Sequence, residues 1–292
     1  MGGKVAMFDW EDLRYFTVFA EEQSLSAAAR KLGVDHATIA RRISALERSL
    51  KLKLVDRRPR SYVLTADGER IAQLGQRMEV ESFTVQRTAL ASQDGYAGEV
   101  TVSAPPALAC ALIAPRLGVL RERHPQLSLQ LLGSHSSASL SRREADVAVR
   151  LSRPKEPDLV ARKVGKIPFA LYGSETYIAA TAVADQVFIA YDESMEENTQ
   201  QLWLRGQAAG RPIVFRSNDL NVQAAAAQAG VGLAALPWFL GQYYGLQALK
   251  SIGAVLEREI WLVVHSDIRH TPSVQAVMKF LGECFEQPPR PE

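Results

Sequence analysis

The sequence predicts an N-terminal all-α winged helix-turn-helix with a long helix behind it, followed by a C-terminal α/β part. Three observations carry this expectation. Apolar residues recur at a helical period up to about residue 92, and strand and helix patterns alternate from about residue 98. At 292 residues the chain exceeds one small domain; one domain per ~150 residues makes two. Charge is also unevenly divided: residues 1–92 hold 15 basic and 12 acidic side chains, against 19 and 20 in the remainder.

The N-terminal elements follow in order. Trp10, Leu13, Phe16, Thr17 and Ala20 fall at helical spacing and predict a helix over Trp10–Glu22. Ser24 and Ser26 are candidate caps, and Ser26 is expected to open a short helix, Ala27–Leu32, stopped by Gly33. Asp35 caps a third helix to about Leu50, with Ile39, Ile43, Leu46 and Leu50 as its buried stripe. Helix, short helix, glycine turn and helix make a helix-turn-helix. Leu54–Leu64, with Pro59 among three arginines, reads as a hairpin wing. Thr65 caps a long helix to about Ser92, whose Ile71, Leu74, Met78, Val85 and Ala89 form a near-heptad stripe suited to pairing two subunits. Gln93–Gly98 is the expected linker.

Beyond it, strands are predicted at Val100–Ala104, Leu127–Leu132, Ala145–Leu151, Phe169–Tyr172, Val187–Tyr191, Ile213–Arg216, Val231–Ala235 and Ile260–Val264. Helices are predicted at Pro106–Arg123, Thr199–Gln207, Leu220–Ala229 and Pro272–Glu286, with a short one after the Ser-rich turn that follows Leu132. Such alternation predicts mainly parallel sheets.

Composition narrows the function classes. With 47% hydrophobic and 23% charged residues the chain is neither disordered nor collagen-like, and two cysteines, Cys110 and Cys284, make no disulfide framework or cysteine metal site. Asp9, Glu11 and Asp12 interrupt any secretory apolar run, and Gln228, Gly230, Gly232 and Pro237 break the apolar stretch Ala224–Leu240, so a cytoplasmic protein without a membrane span is expected. Residues 30–60 hold ten basic and three acidic side chains, +7 over thirty-one residues. With Ile39 and Ile43 buried, His36, Ala40, Arg41, Arg42 and Ser44 lie on the front or flank of the third helix. Short residues beside arginine let a helix enter a major groove of double-stranded DNA. The alternative is a solvated helix whose arginines pair with Glu47 or Glu22.

Asp12-Leu-Arg-Tyr-Phe16, Ala20 to Leu32 with its Ser-Leu-Ser-Ala-Ala-Ala-Arg-Lys-Leu run, Ile39-Ala-Arg-Arg-Ile-Ser-Ala-Leu-Glu47, Leu54-Val-Asp-Arg-Arg and Leu64-Thr-Ala-Asp-Gly68 together resemble the LysR-type transcriptional regulators. Gly98-Glu-Val-Thr-Val102, Ala114-Pro, His124-Pro, Ala145 to Arg150 and Ala229 to Pro237 extend the resemblance more weakly. It implies a DNA-binding domain over 7–65, a linker and dimerisation helix over 66–97, and an effector-binding domain over 98–288 resembling type 2 periplasmic binding proteins. That domain would have one lobe at 98–166 and 266–288 and another at 167–265. The resemblance further implies a homodimer through the linker helix, assembled as a homotetramer, on a partly palindromic site, with room for contact with RNA polymerase. The DNA-binding set is then Ser26, Asp35, His36, Thr38, Ala40, Arg41, Arg42 and the wing residues Arg57, Arg58 and Arg60. The recognition helix of the family commonly begins Ser-Gln-Pro, whereas this one begins Asp35-His36-Ala37, which leaves the operator open.

No catalytic constellation accompanies these motifs, so no enzyme and no cofactor are expected. His36, His124, His135, His265 and His270 lack metal-ligand spacing, and nucleophile-elbow, phosphate-loop and Cys-X-X-Cys motifs are absent. Gly230-Val-Gly-Leu-Ala-Ala235 has a helix before it and a strand after it, the reverse of a dinucleotide site. A small, anionic effector is expected between the lobes at strand ends, on Ser103, Ala104, Pro105, Ser134, Arg150, Ser217 and Asn218. Arg150 reads equally as a carboxylate clamp or as an ion pair with Glu144 or Asp146; Ser217 and Asn218 also read as helix caps. A regulator without an effector, whose lobes serve only assembly, is the rival reading.

Overall fold

A computed structural model describes residues 8–286 apart from 59–60, 92–97, 135–139, 141–143 and 250–255. The chain divides into two compact units, Met1–Gln86 and Arg87–Glu292. Residues 93–97 of the predicted linker, most of the Ser-rich turn and its short helix, and Arg60 lie outside the described residues, while Gly98 opens a strand.

In the first unit, helix α1 (Trp10–Glu22) starts where the Asp9 carboxylate accepts from the Glu11 N–H at 2.9 Å, and it ends where Gln23 turns left-handed. Helix α2 (Leu25–Leu32) is capped by Ser24, whose Oγ accepts from the Ala27 N–H. Ser26 therefore sits inside the first turn and is not the cap. Ser24 alone has the extended backbone that aims its hydroxyl at the free N–H groups. Gly33, at φ 67°, closes α2 without Cβ strain. Helix α3 (His36–Leu50) begins at Asp35, which accepts from the Thr38 N–H at 2.6 Å. Leu13, Phe16, Phe19, Ile39, Ile43, Leu46 and Leu54 form the core. Strands β1 (Val55–Arg58) and β2 (Ser61–Leu64) pair antiparallel as the predicted hairpin. Helix α4 (Ala66–Ala91) is capped by Thr65, whose Oγ1 accepts from Gly68 N–H at 3.0 Å. Ile71 and Ala72 join the core, while Leu74, Met78 and Val85 stay 44%, 41% and 71% exposed.

The second unit is built on one mixed nine-stranded sheet with the order β4-β3-β5-β11-β6-β9-β7-β8, and β10 also on β6. Its strands are β3 (Gly98–Ala104), β4 (Leu127–Gly133), β5 (Val147–Arg150), β6 (Leu159–Gly173), β7 (Phe188–Ala190), β8 (Ile213–Arg216), β9 (Leu233–Pro237), β10 (Gln247–Leu249) and β11 (Leu256–His265). The pairs β3–β4, β3–β5, β7–β8 and β7–β9 are parallel, but every pair made by β6 or β11 is antiparallel. The expectation of mainly parallel sheets is thus corrected: two long strands run in opposite directions through both halves of the sheet. Trp261–Val264 of β11 pair with β5, and a register shift against β6 falls between Ile260 and Trp261.

The single helix predicted over Pro106–Arg123 is broken into α5 (Pro106–Leu108), a π-turn over Ala109–Ile113, a 3-10 turn over Ala114–Arg116 and α6 (Leu117–Arg123). Pro115 has no N–H to donate into the ladder, and the wider and tighter turns accommodate the gap. Helices α7 (Glu175–Ala180), α8 (Thr199–Ala208), α9 (Leu220–Gln228), α10 (Trp238–Tyr243) and α11 (Pro272–Glu286) complete the unit. Its core runs from Val100, Val102 and Val147 through Ile167, Phe169 and Leu262 to Ile189 and Leu236.

Candidate DNA-binding surface and ligand cleft

On α3 the core residues fix which side faces outward. At about 100° per residue, His36, Ala37, Ala40, Arg41 and Ser44 share an arc of about 140°. His36, Ala37 and Arg41 are exposed, and Ala40 and Ser44 are half-buried. Arg41 forms no ion pair among the described residues, and its charge helps depress Asp35.

Arg42 does not share that face. Its Nη1 lies 3.0 Å from Asp12 Oδ1 and 3.7 Å from Asp9, its Nη2 lies 3.2 Å from Glu11, and its guanidinium sits over the Tyr15 ring at 5.4 Å. The Asp12 hydrogen bond, first among these partners, raises its pKa. The expected role for Arg42 in the groove is corrected to a clamp between α3 and the start of α1. Its partners are neither Glu47 nor Glu22, because helical geometry turns it towards α1. Asp35 is likewise occupied: the Thr38 N–H holds its carboxyl below the usual range, and it caps its own helix.

The wing is tied to α3. Arg57 donates to Ser44 Oγ at 2.6 Å and lies 4.0 Å from Glu47. Glu47 Oε1 accepts from the Leu54 and Val55 N–H groups at 2.9 and 3.2 Å, which fixes where the hairpin begins. Nothing in the residue types around Glu47 announces this role; the signal is its distance of one short turn from the strand. Arg58 stands in β1, opposite Ser61. Ser26 and Thr38 are half-buried on α2 and α3.

In the second unit a cleft of about 170 Å³ opens at the ends of β3 and β5. Ser103, Ala104, Pro105, Ser134 and Arg150 line it as expected. Ser217 and Asn218 are not in the lining. Asp219, the residue after them, caps α9 and lines the cleft with Leu220, while Ser217 Oγ accepts from the Asp219 N–H. The Ser217 and Asn218 expectation is therefore displaced by one or two positions.

Six polar lining residues escape the sequence reading: Ser152, Tyr191, Asn198, Gln200, Asp219 and Arg258. Tyr191 donates to Gln200 Oε1 at 3.3 Å, and burial pushes its phenol pKa up. Gln200 donates to the Ala235 carbonyl at 2.6 Å. Arg258 donates to Asn198 Oδ1 at 2.8 Å and to the Leu151 carbonyl at 3.2 Å; burial lowers its pKa, and Tyr191 opposes this. Arg150 Nη1 lies 3.3 Å from Glu156 Oε1, an ion-pair partner that neither sequence alternative named. The cleft can thus hold a small polar molecule against two guanidinium groups. Among the described residues no cluster of His, Cys, Asp and Glu could hold a metal, and no helix is long and apolar enough to cross a membrane.

Comparison with known proteins agrees with both halves. Residues 10–69 match the family described as bacterial regulatory helix-turn-helix protein, lysR family, and residues 93–285 match the LysR substrate binding domain. The Mau operon transcriptional activator of Paracoccus denitrificans is 30% identical over 96% of this chain and 97% of its own length. The transcriptional regulator CrgA of Neisseria meningitidis serogroup C is 26% identical over 79% of this chain and 80% of its own. Among solved structures, the full-length Vibrio cholerae virulence activator AphB shares the fold, with TM-score 0.59, 24% identity and coverage of 94% of this chain and 98% of that one. The winged helix-turn-helix, the two-part sheet with its cleft and these matches lead to one conclusion. The chain belongs to the LysR family: it is a DNA-binding transcriptional regulator with an effector-binding domain, and not an enzyme.

Proposed function

We propose that this regulator responds to a small anionic metabolite held in the cleft at the ends of β3 and β5. The observation that carries the reading is that two guanidinium groups, Arg150 and Arg258, reach the described lining, and that the hydrogen bonds of Arg258 go to neutral acceptors. Ser103 and Ser134 add hydroxyls, and the small volume suits a metabolite below the roughly 300–1,000 Å³ of drug-sized pockets. Ligand would act through unequal affinity for two arrangements of the protein.

On the DNA side, His36, Ala40 and Arg41 face the major groove. The His36 imidazole can donate to guanine or thymine, or accept from an adenine amino group. Arg57, with Arg58 and Arg60, holds the backbone beside the wing. The exposed Leu74, Met78 and Val85 of α4 supply the seam of a homodimer, and the family's assembly as a dimer of dimers is the expected working form. The domain limits in this reading are 7–65, 66–97 and 98–288. Arg41→Ala should erase preference for the operator in footprints across the chain's own upstream region while leaving the melting profile in place. Unchanged footprints from that variant refute the assignment of the α3 face.

A further inference from the structure

Arg258 is the cation of the cleft whose charge has no answering carboxylate among the described residues. Its two hydrogen bonds go to neutral acceptors, Asn198 Oδ1 at 2.8 Å and the Leu151 carbonyl at 3.2 Å. It is half-buried and lines the cavity. A guanidinium placed that way carries a desolvation cost which neutral partners offset only in part. Arg150 differs, because Glu156 already balances it.

The two acceptors also come from opposite halves of the sheet. Leu151 directly follows β5, and Asn198 caps α8 after β7. Arg258 is therefore a strut as well as a cation. A carboxylate entering the cleft would offer two charged oxygens in the fork geometry that guanidinium prefers, in place of single neutral ones.

We infer that the effector is a small carboxylate recognised by Arg258, whose carboxylate replaces Asn198 on the guanidinium and so releases the bridge between the two halves of the sheet. The inference rests on the reading of the cleft as a ligand site and adds to it the ligand class, the recognising residue and the hydrogen bond that binding breaks.

Asn198 supplies the sharpest test. Asn198→Asp places a resident carboxylate 2.8 Å from Arg258 while keeping the α8 cap, since Asp and Asn cap about equally well. Binding of acetate, malonate, succinate and benzoate to the full chain is measured by calorimetric titration, with inorganic phosphate and glucose as comparison probes. At least one carboxylate should bind the unaltered protein, and Arg258→Gln and Asn198→Asp should each weaken it by about tenfold or more, the usual scale for removing a charge-assisted hydrogen bond. Arg258→Gln could fail to fold, since it removes the strut; Asn198→Asp then decides alone. Carboxylate binding that Asn198→Asp leaves unchanged overturns the inference. If phosphate binds and no carboxylate does, the inference falls and the anion-binding cleft stands. If only glucose binds, or nothing in the panel does, both fall.

Discussion

Gly68 decides how closely the start of α4 approaches the wing, and replacing it with alanine tests that packing. A Cβ built on Gly68 would lie 2.1 Å from the Leu54 carbonyl oxygen and 3.1 Å from its carbon. Relief to the 3.0 Å below which such distances essentially never occur requires a shift of at least 0.9 Å. Leu54 has no room to give: its N–H is held by Glu47 at 2.9 Å, its carbonyl accepts from Thr65 N–H at 3.0 Å, and its side chain is fully buried. Alanine gains about 1 kcal/mol of helix propensity over glycine. Against this stand ~1–3 kcal/mol for overpacking and ~0.5–1.5 kcal/mol for loss of the Thr65–Leu54 bond. The net is a destabilisation of about 1–3 kcal/mol, and the melting temperature of a unit this size should fall by roughly 5–15 °C. Gly206→Ala is the matched control. It lies inside α8 with nothing within 4 Å of the added methyl, so it should stabilise its unit by up to ~1 kcal/mol. Calorimetric scans of the full chain resolve the two signs. A Gly68→Ala protein as stable as the parent refutes the packing argument.

Other perturbations separate roles that look alike in sequence. Arg41→Ala should lower the salt dependence of binding to a random duplex by about 0.9 in log–log slope for each phosphate it ceases to neutralise, with thermal stability unchanged. Arg42→Ala removes the same charge but should instead lower thermal stability, because it leaves the buried Asp12 without its guanidinium. Glu47→Ala strands the Leu54 and Val55 N–H groups, costs about 1–3 kcal/mol, and should speed hydrogen exchange at those two amides first. The depressed Asp35 carboxyl contributes stability that is present above its ordinary value of 3.8 and declines as pH falls through its lower folded value. Asp35→Asn keeps the cap and should flatten that acid limb in melts recorded below about pH 4.

Legibility follows the range of the forces involved. Helices α1 and α3 are readable to the residue because their caps and stripes lie within a few positions of one another. Ser24 and Ser26 cannot be told apart by residue type, since both are good caps and only backbone geometry chooses between them. Strand β6 is legible only at Phe169–Tyr172. Its first half carries Arg162, Lys163 and Lys166, whose partners Met278 carbonyl, Glu259 and Glu257 are about a hundred residues away. Strand ends locate the cleft, but they reveal its residues unevenly. Arg258 looks like a solvated charge in Leu-Glu-Arg-Glu-Ile, yet period-2 alternation sets it on the same face as Leu256 and Ile260, both buried. That signal is present in the sequence and is outweighed by residue type.

The same long-range pairing limits what the basic cluster of residues 30–60 can do for DNA. Of its ten cations, Lys31 is matched by Glu21 and Glu22, Arg42 by Asp9, Glu11 and Asp12, Lys53 by Asp56, and Arg57 by Glu47. Five of these acids precede residue 30, on α1 or at its cap, so a window along the chain counts the cations and misses their partners. Of the other six, Arg30, Arg41, Arg48 and Lys51 have no ion pair among the described residues, and the side chains of Arg58 and Arg60 lie outside the described part of the structure. Only Arg41 of these lies on the outward arc of α3 with His36 and Ala40, since Arg48 and Lys51 stand at the far end of that helix and Arg30 on α2. In the proposed reading, recognition by this face therefore rests on one free arginine, one imidazole and small side chains that permit close approach. Such a surface reads few bases by itself, so in the proposed reading specificity comes from repeating it on a partly palindromic site, and the proposed pairing through α4 becomes a condition of that reading rather than an accessory to it.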